Sequence, residues 1–261
     1  MNWIQALILG IVQGLTEFLP VSSSGHLEIG KALLNIDMEQ NLTFTVVVHG
    51  ATVLSTVVVF FSEILKLFKE GLSIKYNEST AYILKILLSM VPVLLVGIFL
   101  EEKVSALFDG NIKFVGAMLI VTAILLGLTR FIKKTGTKSI PFRDAFLIGC
   151  MQAVAVLPGL SRSGSTIASG ILLGNKPEEV ARFSFLMVLI PIIGANLLEI
   201  FRGDVTQAGD TSVSILFIGF MAAFITGILA CKWMINLVKK GNLTYFSLYC
   251  LLLGISAIIF A

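Results

Sequence analysis

Two short polar runs interrupt long apolar sequence, and both are built from residues that bind or transfer oxyanions. The first is Pro20-Val21-Ser22-Ser23-Ser24-Gly25-His26, with Glu17 three residues before the proline and Gln13 one helical turn earlier. The second is Pro158-Gly159-Leu160-Ser161-Arg162-Ser163-Gly164-Ser165-Thr166. Glycine lets backbone approach a ligand closely, and serine adds hydroxyl donors. A helix that restarts after such a break presents unpaired N–H groups and the positive end of its dipole. That combination suits a phosphate. Arg162 adds a permanent charge and a planar fork that matches phosphate geometry. Ionisable groups so deep in apolar sequence are functional residues by default.

Gln13 and Glu17 share one face of a helix. A buried carboxylate stays charged only if paired, and two partners would serve: Arg162, or a divalent cation carried by a diphosphate. His26, near the start of the restarted helix, has the intrinsic acidity of a general acid or base. Ser22, Ser23 and Ser24 are candidate nucleophiles that need a nearby base, and spacing does not choose among them. His49, Asn196 and Glu199 lie in apolar runs and are expected to be structural or supporting.

The elements that must position these groups are membrane helices. The chain of 261 residues is 56% hydrophobic and 13% charged, with a mean hydropathy of +0.96. A soluble domain carries about 25% charged residues. A net charge of +3 leaves no footprint for nucleic acid. Cys150, Cys231 and Cys250 show neither metal nor disulfide spacing and are expected to pack as small apolar residues. No positive region opens the chain, so no cleavable signal peptide is expected. The segments 44–61, 83–100, 114–131, 183–201, 213–231 and 243–260 are predicted to span the bilayer. The interrupted stretches, about 5–34 and 144–174, are predicted to be helical hairpins that enter and leave on one side, and two short full crossings per stretch fit the loop charges equally well.

Basic loops face the cytoplasm. They are 62–82 with Lys66, Lys69 and Lys75, 132–143 with Lys133, Lys134, Lys138 and Arg143, and 232–242 with Lys232, Lys239 and Lys240. The acidic or mixed loops carrying Glu101, Glu102, Lys103 and Asp109, and Arg202, Asp204 and Asp210, face outward, as do both termini. A shift of 139 positions lays Ala6, Gly10, Gln13, Ser22, Ser24 and Gly25 on Ala145, Gly149, Gln152, Ser161, Ser163 and Gly164 without a gap. It also lays Phe44 on Phe183, in spans that run in opposite directions. The expected fold is therefore an all-α polytopic membrane protein: about six transmembrane helices plus two re-entrant helical hairpins in an inverted-topology repeat. Residues 1–261 form one membrane domain, with repeats of about 1–131 and 140–261. Inverted repeats with broken helices place their polar site where the breaks meet. Ser23 falls on Arg162, so the two halves differ at one position of the site.

Both runs resemble the signatures of the bacterial undecaprenyl-diphosphate phosphatase family, which is associated with bacitracin resistance. The first signature is Glu or Gln, three residues, Glu, then a Pro-Val-Ser-Ser-(Ser/Thr)-Gly-His run, as from Gln13 to His26. The second is Pro-Gly-x-Ser-Arg-Ser-x-x-Thr, as from Pro158 to Thr166. The resemblance implies that Glu17, Ser23, His26 and Arg162 are catalytic. It implies that Ser22, Ser24, Gly25, Ser161, Ser163, Gly164 and Thr166 line the phosphate pocket. It also implies a divalent cation, Mg or Ca, at Glu17 together with Gln13 or arriving with the diphosphate. The implied substrate is a polyprenyl diphosphate lipid, cleaved to undecaprenyl phosphate and inorganic phosphate at the bacterial inner membrane, in service of cell-wall synthesis. A second copy of the chain is an admissible partner. An anion or polyprenyl-phosphate transporter or flippase is the rival reading, because its architecture is the same.

Overall fold

The computed structural model describes residues 1–34, 36, 42–71, 76–107, 111–131, 138–202, 212–241 and 243–260. Lys75, Asp109, Lys133, Lys134, Asp204 and Asp210 lie outside the described residues, as do the side chains of Glu199 and Arg202. The described residues form α-helices joined by turns. They are α1 (Trp3–Phe18), α2 (Ser23–Leu33), α3 (Leu42–Val59), α4 (Phe61–Gly71), α5 (Glu78–Phe99), α6 (Glu101–Ser105), α7 (Ile112–Leu128), α8 (Phe142–Val154), α9 (Arg162–Leu172), α10 (Pro177–Met187), α11 (Leu189–Arg202), α12 (Val213–Lys239) and α13 (Thr244–Phe260).

Among the described residues, four helical segments are long and apolar enough to cross a bilayer: Glu78–Phe99, Ile112–Phe131, Pro177–Leu198 and Val213–Lys239. They correspond to four of the six expected spans. The other two differ. The span expected at 44–61 is α3, and the chain turns by 73° at its end, where α3 meets α4. The loop expected at 62–82 is largely helix, because α4 is amphipathic: Phe61, Leu65 and Phe68 are exposed beside Lys66 and Lys69. The span expected at 243–260 is α13, of 17 residues, about 26 Å at the usual helical rise. Large apolar side chains are exposed along the bundle, including Trp3, Ile4, Leu7, Ile8 and Ile11 on α1, which fits a surface solvated by lipid. The chain is a multi-pass membrane protein.

The interrupted stretches are pairs of helices packed on each other, α1 on α2 and α8 on α9. α1 also packs along α12, and α8 along α5. Under the shift of 139 the start of α1 falls on that of α8, and both bounds of α2 fall on those of α9. Small residues allow these contacts: a Cβ on Gly10 would lie 2.5 Å from the Gly219 carbonyl oxygen of α12. The breaks sit against the middle of α7 and α13. The Ser161 N–H donates to Thr122 Oγ1 at 3.0 Å, and the Cys250 thiol to the Pro20 carbonyl at 3.6 Å.

Gly159 has a φ of +90°, and a Cβ there would lie 2.5 Å from the Val115 carbonyl oxygen. Gly174 has a φ of +83° with nothing within 4 Å. Gly174→Ala should therefore cost only the left-handed backbone strain, about 1–2 kcal/mol. Gly159→Ala should cost clearly more. Thermal unfolding in detergent checks this, and equal losses would contradict the packing of the second break on α7.

Candidate active site

α1 stops where Pro20 removes a backbone donor and holds Leu19 extended, at φ −69° and ψ 145°. α2 then restarts with Ser22 as its cap, whose Oγ accepts from the Gly25 N–H at 3.1 Å. α9 restarts the same way, with Ser161 Oγ accepting from Gly164 at 3.0 Å. The two breaks also brace each other. The Gly159 N–H donates to Ser24 Oγ at 3.4 Å, and Ser163 Oγ donates to the Leu19 carbonyl at 3.1 Å. Thr166 donates to the Arg162 carbonyl at 2.9 Å and meets the Ser184 hydroxyl at 2.6 Å. A hydroxyl has one proton to give, so Ser163 and Thr166, expected to line a phosphate, spend theirs on holding the backbone. Ser161 and Ser22 act as caps. Gly25 and Gly164 supply the N–H groups that these caps receive.

What converges between the breaks is the Glu17 carboxylate. Its Oε1 pairs with Arg162 Nη2 at 2.5 Å. Its Oε2 accepts from Ser23 Oγ at 2.7 Å and from Gln13 Nε2 at 3.0 Å. Ser23 and Arg162 are the first residues of α2 and α9, so the two helix starts aim different side chains at one carboxylate. Ser22, with φ 71° and ψ 98°, is the one non-glycine with positive φ among the described residues. Such strain costs about 1–3 kcal/mol and gathers at functional sites. Its counterpart Ser161 is relaxed at φ −71°. Two buried polar atoms here have no partner, Arg162 Nη1 and Gln13 Oε1. The adjoining cavity, lined by Glu17, Arg162, Thr52 and Thr56 among others, has a volume of about 10 Å³, room for roughly one water.

His26 does not join this cluster. Its Nδ1 lies 2.7 Å from the Ser22 carbonyl and its Nε2 2.7 Å from the Tyr249 hydroxyl of α13. His49 Nδ1 donates to the Thr45 carbonyl of its own helix at 2.8 Å. Sequence reasoning missed Tyr249 and Thr122, which sit in runs that read as plain membrane spans. A tyrosine within such a span was the available signal, since its hydroxyl needs a partner.

The residues present do not fit a metal resident in the protein. Hard divalent cations take six or more oxygen ligands, and among the described residues no group of three acidic, His or Cys side chains could hold one. The Glu17 carboxylate is already shared among a guanidinium, a hydroxyl and an amide. Gln13 and Glu17 do share one face of α1, where the Gln13 amide donates to the Glu17 carboxylate.

A family model described as bacitracin resistance protein BacA matches residues 6–256. The chain is 53% identical to an undecaprenyl-diphosphatase of Parabacteroides distasonis, over 99% of this chain and 98% of that one. It is 51% identical to an undecaprenyl-diphosphatase of Bacteroides fragilis over the same shares. An undecaprenyl-diphosphatase 1 of Bacillus cereus is 35% identical over 97% of this chain and 96% of its own.

Removing one member of a buried ion pair strands the other and costs about 3–5 kcal/mol. Arg162→Gln and Glu17→Gln should each destabilise the folded protein, and the double variant should lose far less than the two losses added. Thermal unfolding in detergent measures all three, and strict additivity would mean the pair does not couple the breaks.

Proposed function

We propose that this chain, which belongs to the bacitracin resistance protein BacA family, hydrolyses undecaprenyl diphosphate to undecaprenyl phosphate and inorganic phosphate. The observation that carries this reading is the convergence of Ser23, Glu17 and Arg162 from two helix breaks, with Arg162 Nη1 left over. An anion that binds Arg162 competes with Glu17 for it. As the terminal phosphoryl group draws the guanidinium away, Glu17 is freed to act as a base on the Ser23 hydroxyl it already holds. The Ser23 Oγ–P bond then forms, the bridging P–O bond breaks, and the electron pair leaves with undecaprenyl phosphate. Water cleaves the phosphoserine and releases inorganic phosphate. Arg162 and the N-termini of α2 and α9 stabilise the charge on the transferring group. The cavity must widen for this, because it now holds about one water.

A divalent cation enters this scheme as the diphosphate's own companion, consistent with a donor set that offers Gln13 Oε1 as a single unpartnered oxygen. The topology is read as six spans and two re-entrant hairpins in one inverted-repeat membrane domain, in the bacterial inner membrane with the site open to the outer face. Two observations support the repeat: the matching helix bounds, and the braces that pair Ser24 with Gly159 and Ser163 with Leu19, next to Pro20, the counterpart of Gly159. The transporter reading has the architecture in its favour but does not account for a serine held on a carboxylate.

Phosphate release by the purified protein in detergent tests the proposal. Wild type should release phosphate from undecaprenyl diphosphate, and Glu17→Ala, Arg162→Ala and Ser23→Ala should each lose about 100-fold or more, the usual worth of such groups. A well-folded wild type that releases none would sink the hydrolase reading. Full activity in Ser23→Ala would replace the serine by a directly attacking water.

A further inference from the structure

His26 is placed in the reaction by its ring contacts, and one of them comes from a residue that neither polar run contains. The Ser22 carbonyl carries no proton, so His26 Nδ1, 2.7 Å away, is the donor in that bond. A neutral His26 then keeps its lone pair on Nε2. That lone pair faces the Tyr249 hydroxyl at 2.7 Å, and the two rings lie side by side and nearly coplanar, with centroids 5.6 Å apart and planes 12° apart, as a hydrogen bond along an in-plane lone pair requires. The ring is held at both nitrogens, so it cannot turn about its axis without losing one of these bonds.

We infer that Tyr249 is a positioning residue for His26 in the hydrolytic reaction, its hydroxyl aiming the basic nitrogen toward the α13 side of the site. Tyr249 is 44% exposed, so the pair spans from the half-buried imidazole to the protein's outer surface. A tyrosine hydroxyl both donates and accepts. It can therefore give a hydrogen bond to neutral Nε2 and receive one from the protonated ring, and the contact survives either state. His26 is thereby separated from the Ser23–Glu17 pair. Glu17 takes the serine proton, and His26 presents its basic nitrogen on the side of the site that meets α13.

This inference rests on the hydrolase reading, so its test has one arm that needs no turnover. The chain has two histidines, so His49→Gln leaves His26 alone in a spectrum of ring-labelled ¹⁵N-histidine. The Nε2 resonance should show an accepted hydrogen bond and move toward that of a free lone pair in Tyr249→Phe, which keeps the aromatic ring. A resonance that stays put overturns the inference whatever the activity. In the kinetic arm, Tyr249→Phe should lower kcat about tenfold with KM within about twofold, the size of one lost hydrogen bond. In a His26→Gln background the same change should cost nothing further. Equal losses in both backgrounds would make Tyr249 a structural pin and refute the positioning role. Absence of phosphate release in wild type would sink the hydrolase reading and the positioning role with it, whereas a resonance that stays put in an active protein sinks the positioning role alone.

Discussion

Backbone cannot be left unpaired in a bilayer, and every feature of the site follows from how two interrupted helices meet that demand. Neither break satisfies itself. The serine caps take one N–H each, α7 and α13 supply Thr122 and Cys250, and the breaks then exchange bonds with each other. The Glu17–Arg162 pair closes the arrangement with charge. Because each break depends on the other, the residues at their tips are held to within a hydrogen bond's tolerance although 145 residues separate the paired groups. That is the precision phosphoryl transfer needs, and most of the hydroxyls around it are spent on providing it.

The two halves share a frame and differ in what they carry. The first residue after the cap is Ser23 in one and Arg162 in the other. Glu17 has Val156 as its counterpart. Gln13 therefore finds a carboxylate to hold, whereas Gln152, equally buried, leaves both its amide atoms without a partner. The two breaks thus bring a serine hydroxyl, a carboxylate and a guanidinium to one point, rather than two copies of an incomplete set.

Much of this was legible in the sequence because the signals were local or periodic. Proline and serine runs marked both breaks, the shift of 139 marked their equivalence, and a lone arginine among apolar residues marked its own importance. Those readings brought Glu17 and Arg162 near one another as one of two admissible pairings, but spacing did not choose Ser23 from its neighbours. What the sequence concealed depended on geometry between distant elements. Ser163 and Thr166 read as phosphate donors because donor inventories do not say where a proton goes. His26 read as a candidate general acid or base with no direction to its ring, and the turn of α2 aims it at a residue 223 positions away. The 73° bend at Phe60 was hidden because an amphipathic helix after a span looks like a basic loop when only its lysines are counted.

The central claim is that the terminal phosphoryl group docks between the two breaks, on the nitrogen that Arg162 leaves unpaired. The most direct measurement is the structure of the protein bound to a polyprenyl diphosphate analogue whose bridging oxygen is replaced by methylene. The account expects the terminal phosphonate within hydrogen-bond distance of Arg162 Nη1, in line with Ser23 Oγ, and the guanidinium drawn off Glu17. A headgroup bound away from both breaks, with the Glu17–Arg162 pair intact, would contradict it.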